Sequence, residues 1–212
     1  RKSVLFEIQA IDIKPSNFYE NYFIGEYMIE DSSFQIIKTP YPEFLQQEQK
    51  YYADLLQPLM LNFPEKVVYN FPAFSKIFVY NRKTLKTKTH NVKSQYIPNK
   101  APYKSFKLFR NSSSWDNGDY ILGTPQFKNL WHNKKANHYY RLNQSGFNHD
   151  KRGNRPKMYL HILNKRFQVL DEIRIHLSQR QVFPGKKGLY YFPENRQNQK
   201  NFEIVHLTYH KQ

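Results

Sequence analysis

The first residues of the chain alternate between apolar positions and positions of mixed character. Val4, Phe6 and Ile8 recur at every second residue, which is the period of a β-strand that buries one face. This alternation predicts a strand over residues 3–13. Shorter apolar stretches bounded by turn-forming residues predict further strands over residues 33–38, 65–69, 75–82, 157–170, 189–192 and 202–209.

Two segments show the spacing of amphipathic helices. Apolar residues recur at near-helical spacing over residues 43–57, with Pro42 before them and Pro58 after them, and proline is compatible with the ends of a helix but not with its interior. Asp171 and Glu172 open a second pattern of this kind, and acidic side chains stabilise a helix N-terminus. The sequence therefore predicts two helices.

The predicted elements follow the order strand, helix, bent strand, long excursion, strand, helix, strand. This β-α-β-β-α-β order is typical of an α+β fold in which two helices cover one face of a single sheet. A long polar stretch with little periodicity is usually functional or ordered by a partner. The predicted organisation is residues 1–82 as the first part of the core with an insertion at 14–42, residues 83–156 as a basic, aromatic-rich excursion, residues 157–192 as the second part of the core, and residues 193–212 as a C-terminal loop and strand.

Positive charge is concentrated in the middle of the chain. Of the 212 residues, 33 are Lys or Arg and 17 are Asp or Glu, so the net charge is +16. Residues 1–65 hold 5 basic and 10 acidic residues, residues 66–170 hold 21 and 3, and residues 171–212 hold 7 and 4, which gives −5, +18 and +3. A long run of one sign favours binding to phosphate over a solvated flexible loop or an anionic membrane surface, and no basic amphipathic helix supports the membrane alternative. Nucleic acid is therefore the expected partner, and a membrane is not.

The excursion supplies the two kinds of side chain that bind looped or single-stranded RNA. Cations bind the phosphates and aromatic rings stack on bases, although the same rings are equally suited to pack a small satellite core. The aromatic candidates are Tyr96, Tyr103, Phe106, Phe109, Trp115, Phe127, Trp131, Tyr139, Tyr140 and Phe147. The predicted RNA-binding cations are Arg82, Lys83, Lys86, Lys88, Lys93, Lys100, Lys104, Lys107, Arg110, Lys134, Lys135, Lys151, Arg152, Arg155 and Lys157.

Patterns for catalysis and metal binding are weak. The chain has no cysteine, and the spacing of its 8 histidines does not supply the three or four convergent ligands that zinc requires. Glu48-Gln49-Lys50 has the Glu-x-Lys form found in metal-dependent nucleases, but it falls within a predicted helix. We therefore expect no enzyme activity, no metal and no cofactor. A nucleic-acid enzyme such as a nuclease and a structural subunit of another large organellar complex are the alternatives.

Four segments resemble the universal small-subunit ribosomal protein ten (S-ten) family. Residues 4–12 (VLFEIQAID) resemble its first strand, which alternates and ends in Ala, an apolar residue and Asp. Residues 71–82 (FPAFSKIFVYNR) resemble its Leu-Pro-x-x-x-Lys-x-Phe-x-x-x-Arg stretch at the same spacing. Residues 151–155 (KRGNR) are similar to its basic segment, and residues 165–166 are similar to a Lys-Arg pair that precedes an apolar strand end there.

The resemblance implies a ferredoxin-like domain in the head of the small ribosomal subunit. A long basic loop would reach into ribosomal RNA beside neighbouring head proteins. The insertions look like the growth of organellar ribosomal proteins, and the abundance of Lys, Asn, Ile, Phe and Tyr is typical of an A/T-rich genome. The resemblance thus predicts a structural, ribosomal-RNA-binding protein of the mitochondrial ribosome, located in the matrix.

Overall fold

The strands of the described residues form four antiparallel sheets, each of which runs up and down in chain order. The computed structural model describes residues 2–8, 19, 22–48, 50–103, 114–146, 156–175, 182–185, 188–191 and 205–207. Sheet I contains β1 (Ser3–Glu7), β2 (Tyr22–Met28) and β3 (Ser33–Pro40). Sheet II contains β4 (Leu59–Asn62), β5 (Lys66–Asn70), β6 (Lys76–Asn81) and β7 (Lys86–Asn91).

The second half of the chain repeats this pattern. Sheet III contains β8 (Gln126–Asn133), β9 (His138–Gln144), β10 (Met158–Leu163) and β11 (Val169–Ile175). Sheet IV contains β12 (Val182–Gly185), β13 (Gly188–Tyr191) and β14 (Val205–Leu207). Helix α1 (Glu43–Glu48) and a 3-10 helix (Ala53–Leu56) connect sheets I and II, and α2 (Ser114–Gly123) precedes sheet III. Within the described residues, no helix has the length and apolar character needed to cross a membrane.

Strands β5 and β6 bury side chains on both of their faces. In β5, Val67 and Tyr69 pack between sheets I and II, whereas Val68 packs between sheets II and III. In β6, Phe78 lies on the side of sheet I and Ile77 on the side of sheet III. Because both faces of these two strands are removed from water, the strands consist largely of β-branched and aromatic residues.

Neighbouring sheets meet through their first strands and through apolar clusters between their faces. Strand β1 contacts β4, β4 contacts β8, and β8 contacts β12. Successive clusters fill the gaps between sheets I and II, between sheets II and III, and, with Tyr140, Leu160 and Leu189, between sheets III and IV. Up-and-down sheets that pack face to face beside a row of first strands are arranged as consecutive blades of a β-propeller.

The prediction of an α+β, ferredoxin-like core is wrong. The two α-helices of the described chain have 6 and 10 residues, and all four sheets are antiparallel meanders. In place of one predicted helix over residues 43–57, the described residues form α1 and the separate 3-10 helix, and Tyr52, Leu55 and Leu56 are buried in one core. Asp171 and Glu172 lie in strand β11 and not at a helix N-terminus.

Other strand predictions agree with the structure. The strands predicted over residues 33–38, 65–69 and 75–82 are confirmed as β3, β5 and β6. The strand predicted over residues 157–170 is two strands, β10 and β11, that are joined by a tight turn. Residues 83–156 contain β7, α2, β8 and β9, which belong to or adjoin sheets II and III.

Candidate anion-binding site

A groove of about 920 Å³ lies between β7 of sheet II and the turn that joins β10 to β11 in sheet III. We call it the basic groove, and its cationic lining residues are Lys66, Lys86, Lys88, Lys165 and Arg166. Further polar lining is supplied by Asn81, Thr84, Thr87, His90 and Gln168. Among these lining residues, all of them in the described part of the chain, none is acidic. The groove therefore presents hydrogen-bond donors and positive charge, which is the chemistry that binds anions.

Strand β7 presents its cations to the groove because of its register. Lys86 and Lys88 are two residues apart, so their side chains leave the same face of the strand. Lys88 pairs with Val79 and His90 pairs with Ile77, and both of these apolar partners pack on the side of sheet III. In the described structure β7 pairs with β6 alone and is exposed along residues 86–89, which leaves both lysines in solvent.

The turn between β10 and β11 is held by the side chain of Asn164. Asn164 Oδ1 accepts hydrogen bonds from the backbone N–H groups of Arg166 and Gln168, at 2.8 and 3.1 Å. Phe167 has a φ of 61° and is buried, with its ring centroid 4.5 Å from that of Tyr139. Since an Asx turn fixes the backbone locally, the buried Phe167 ring anchors the turn, and the exposed side chains of residues 165 and 166 line the groove.

The positive charge of the groove is not neutralised by ion pairs among the residues that the structure describes. In the described part of the chain, no carboxylate forms an ion pair with any of its five cations. Lys66 Nζ instead lies 5.3 Å from the centroid of the Phe63 ring and 5.8 Å from that of Tyr139, within the range of cation–π attraction. Burial, together with the nearby Lys88 and Lys66 charges, lowers the pKa of His90. His90 is therefore uncharged at neutral pH.

Arg82, the first predicted RNA-binding residue, has its donors engaged inside the protein. Its Nη1 lies 2.6 Å from Glu26 Oε2 and its Nη2 lies 2.9 Å from Glu26 Oε1, in a bidentate ion pair that joins sheet II to sheet I. Arg82 also donates to Asn62 Oδ1 and to the carbonyl of Phe63. Burial opposes ionisation of Glu26, but hydrogen bonds from Arg82, Ser3 and Gln35 outweigh it and lower the pKa of Glu26.

The structure separates the other predicted cations. Lys86 and Lys88 line the groove, while Lys83, Lys134 and Lys135 lie exposed in the β6–β7 and β8–β9 turns at the same end of the two sheets. The exposed residues that lie outside the groove lining are Lys93, Lys100 and Lys157. The predicted cations that lie outside the described residues are Lys104, Lys107, Arg110, Lys151, Arg152 and Arg155.

The structure also separates the predicted aromatic candidates. Phe127, Tyr139 and Tyr140 are buried in the apolar clusters, whereas Tyr96 and Tyr103 are exposed. Neither exposed ring lines the basic groove. The candidates at positions 106, 109 and 147 lie outside the described residues.

Three cations of the groove were absent from the predicted site, namely Lys66, Lys165 and Arg166. Lys66 begins β5, and the other two lie in a turn about 80 residues further along than Lys86. Their contribution depends on sheets II and III packing side by side. The local signal that could have identified two of them is the basic dipeptide Lys165-Arg166, which lies in a polar turn.

A buried polar network fixes the end of β7 against sheet III. Arg141 is fully buried, and its Nη1 and Nη2 donate to the carbonyls of Ser75 and Val92, each at 2.7 Å. Arg141 Nη2 lies 3.1 Å from His161 Nδ1, and His161 Nε2 lies 2.7 Å from Glu172 Oε1. Burial lowers the pKa of Arg141 to about 9, although Glu172 partly opposes that shift.

Glu172 completes this network by accepting hydrogen bonds from the chain that follows β7. Its carboxylate accepts from Ser94 Oγ at 2.6 Å and from the backbone N–H of Gln95 at 2.7 Å. Burial alone would raise the pKa of Glu172, but hydrogen bonds from His161, Ser94 and Gln95 lower it to about 2. The network is therefore a structural clamp that positions the strand carrying Lys86 and Lys88.

Comparison with known proteins gives a fold and no family. No protein-family profile matches the sequence, and no curated protein matches it. The chain is similar to the solved structure of a member of the DUF4221 family from Bacteroides vulgatus, with a TM-score of 0.71 and 17% sequence identity. The match covers 97% of this chain and 61% of that chain, so this sequence spans about three fifths of the length of the protein that it matches.

These findings overturn the ribosomal interpretation. The fold is a series of antiparallel sheets like that of a bacterial protein, and the described residues contain no ferredoxin-like domain of the kind that the S-ten resemblance implied. Of the four segments that suggested the resemblance, the described parts of three lie in strand β1, at strand β6 and in the β10–β11 turn, each in a different sheet. The fourth segment, residues 151–155, lies outside the described residues. A role in the small ribosomal subunit and a mitochondrial location rested on that resemblance, and both expectations are wrong.

Proposed function

We propose that this protein is a non-catalytic nucleic-acid-binding protein that holds a phosphate backbone in the basic groove. The observation that carries the proposal is the convergence of five cations from three separate stretches of chain on one groove of about 920 Å³ without a carboxylate partner in the described residues. Arg82 is paired with Glu26, whereas the five cations of the groove have no carboxylate partner among the described residues, so their charge is available to a ligand.

The groove is suited to the backbone of a nucleic acid and not to its bases. Its aromatic lining residue, Phe167, is buried, and the half-buried His90 ring lies against it with centroids 4.9 Å apart. The buried Phe167 ring offers no open face on which a base could stack. Lysine and arginine contacts to phosphate fix position without reading sequence. We therefore expect binding that depends little on base composition.

The proposal is tested by fluorescence anisotropy with a labelled single-stranded oligonucleotide of mixed sequence. The double variant Lys88→Ala with Lys165→Ala should weaken binding about tenfold at moderate salt, and the slope of log K against log salt should become shallower by about 0.7 for each phosphate that the variant no longer binds. The matched control is Lys93→Ala with Lys157→Ala, which removes the same charge from exposed positions outside the groove lining. Equal weakening by both double variants would show that net charge, and not the groove, governs binding.

The chemistry of the ligand is tested with three polyanions in parallel. Single-stranded RNA and single-stranded DNA should both bind, because the groove contacts phosphates, which the two share. Heparin carries sulfates on a polysaccharide and serves as the third ligand. Binding of heparin without binding of either nucleic acid would exclude the proposed ligand class, as would the failure of all three to bind.

A further inference from the structure

The outer face of sheet I, which points away from sheet II, carries an open apolar patch beside Lys38, which lies on the same face of β3. The register of the sheet places Val4, Tyr27 and Phe34 in one row across its three strands. Their side chains are 52%, 40% and 52% exposed, although large apolar residues on sheets normally face a core. A contiguous apolar surface of this kind marks an interaction site.

A second row lies beside the first and flattens the surface. It consists of Phe6, Gly25 and Ile36, and Ile36 is 47% exposed. The Phe6 ring rests on Gly25 so closely that a Cβ atom there would lie 2.6 Å from Phe6 Cε2. The same ring stacks on Phe34 with centroids 5.4 Å apart. Glycine at this position thus allows the aromatic rings to form a flat layer that a second sheet can cover.

The exposed edge strand of sheet II has a different composition from the outer face of sheet I. Strand β7 is exposed along residues 86–89 and carries Lys and Thr there. The two rows on sheet I contain no charged side chain. The polar side chains that a solvated antiparallel sheet face requires are therefore missing from these two rows.

We propose that the outer face of sheet I is an interface that receives a further antiparallel sheet of the same propeller-like series. In the described chain, sheet I packs on II, II on III, and III on IV, each time through an apolar cluster between two faces. The outer face of sheet I continues this series by one more interface. The occupant is a sheet from polypeptide outside these residues, since the matched structure has the same fold and 39% (100 minus 61) of its chain has no counterpart here.

The test uses thiol labelling, because the chain has no cysteine of its own. Phe34→Cys places a thiol on the outer face, and Leu85→Cys is the matched control at an isolated position that is 65% exposed in the β6–β7 turn. Each variant is made in the 212-residue chain alone and in the full-length product of its gene, which this proposal predicts to contain a further sheet. Maleimide should modify both thiols at similar rates in the 212-residue chain. In the product of the complete gene, the thiol from Phe34→Cys should react at least about tenfold more slowly, with the control unchanged.

Two other results would overturn this proposal. Equal reactivity of the Phe34→Cys thiol in both proteins would show that the face stays open. Protection that appears in the 212-residue chain and grows with its concentration would show that a second copy of the chain is the occupant. Val4→Cys lies in the same cross-strand row and should repeat the result of Phe34→Cys, which guards against a local effect of one substitution.

Discussion

Two groups of cations lie in sheets II and III, and they differ in whether their charge is buried inside the protein or exposed to solvent. Arg141 is fully buried, and its Nη atoms donate to two backbone carbonyls and approach one imidazole nitrogen. Lys88 and Arg166 lie exposed in the basic groove without a carboxylate partner in the described residues. Each of these residues adds one positive charge to the net charge of +16. The comparison shows that net charge overstates the charge that a ligand can reach, since part of it stabilises the fold.

The comparison predicts its largest effect on stability at Arg141. Arg141→Met should lower the free energy of unfolding by about 3–5 kcal/mol, because it leaves buried carbonyl oxygens without donors and breaks the network that includes Glu172. Urea denaturation measures this change. Arg166→Met in the exposed turn is the matched control and should change the free energy of unfolding by less than about 0.5 kcal/mol. Similar destabilisation by both variants would contradict the distinction between the two groups.

Glu172 should make this stability depend on pH. Hydrogen bonds lower its pKa from 4.5 to about 2 in the folded protein, so the unfolded chain takes up a proton before the folded protein does as the pH falls. The stability that Glu172 contributes is present above about pH 4.5 and is lost as the pH falls towards 2. Glu172→Gln should therefore be less stable at neutral pH and should show a flatter decline of stability over this interval.

The control for Glu172 is its neighbour Asp171, which is half-buried on the same strand. Asp171→Asn should keep the steep acid decline of the unsubstituted protein in chemical denaturation measured at several pH values. A Glu172→Gln variant with the same decline as the unsubstituted protein would show that the carboxylate does not carry this part of the pH dependence.

The strands of the core could be predicted from the sequence, whereas their assembly could not. β5 and β6 bury both faces, so their apolar runs are visible in the sequence. β7 reads KTKTHN and pairs with β6 through its backbone, which requires no apolar residue. The pattern therefore resembled a basic loop. Glu172 was likewise predicted to lie at a helix N-terminus. Its actual hydrogen-bond donors, Ser94 and Gln95, are more than 70 residues away in the sequence, so no local pattern reveals them.

The candidate site could be predicted only in part for the same physical reason. Lys86 and Lys88 lie in the conspicuous basic run and do line the groove. Arg82 lies in that run too, but it pairs with Glu26, 56 residues earlier in the chain. Lys66 and Lys165 reach the groove because two sheets pack together. The sequence shows which residues are charged. Which group each charged residue contacts depends on residues that are distant along the chain.

Arg82 provides a smaller test, at the boundary between the two groups. Arg82→Ala leaves Glu26 buried without its bidentate partner and should lower the free energy of unfolding by about 2 kcal/mol, since hydrogen bonds to charged groups contribute about 1.5–3 kcal/mol each. Oligonucleotide affinity, measured by anisotropy under conditions where the variant is folded, should change by less than about twofold because Arg82 does not line the groove. A tenfold loss of affinity would place Arg82 with the ligand-binding cations.

His90 should produce the smallest effect and the sharpest test of the groove. Its pKa is lowered by burial and by Lys88 and Lys66, so the free protein holds it neutral at pH 7. A bound phosphate favours the protonated ring, so binding takes up a proton and affinity should rise about two- to fivefold between pH 7.5 and 5.5. His90→Gln should bind normally at pH 7.5 and lose this rise. His132→Gln removes another histidine with a lowered pKa, one that does not line the groove, and should keep the rise. If the affinity of His90→Gln also rises between pH 7.5 and 5.5, the phosphate does not lie beside His90 and the ligand binds elsewhere.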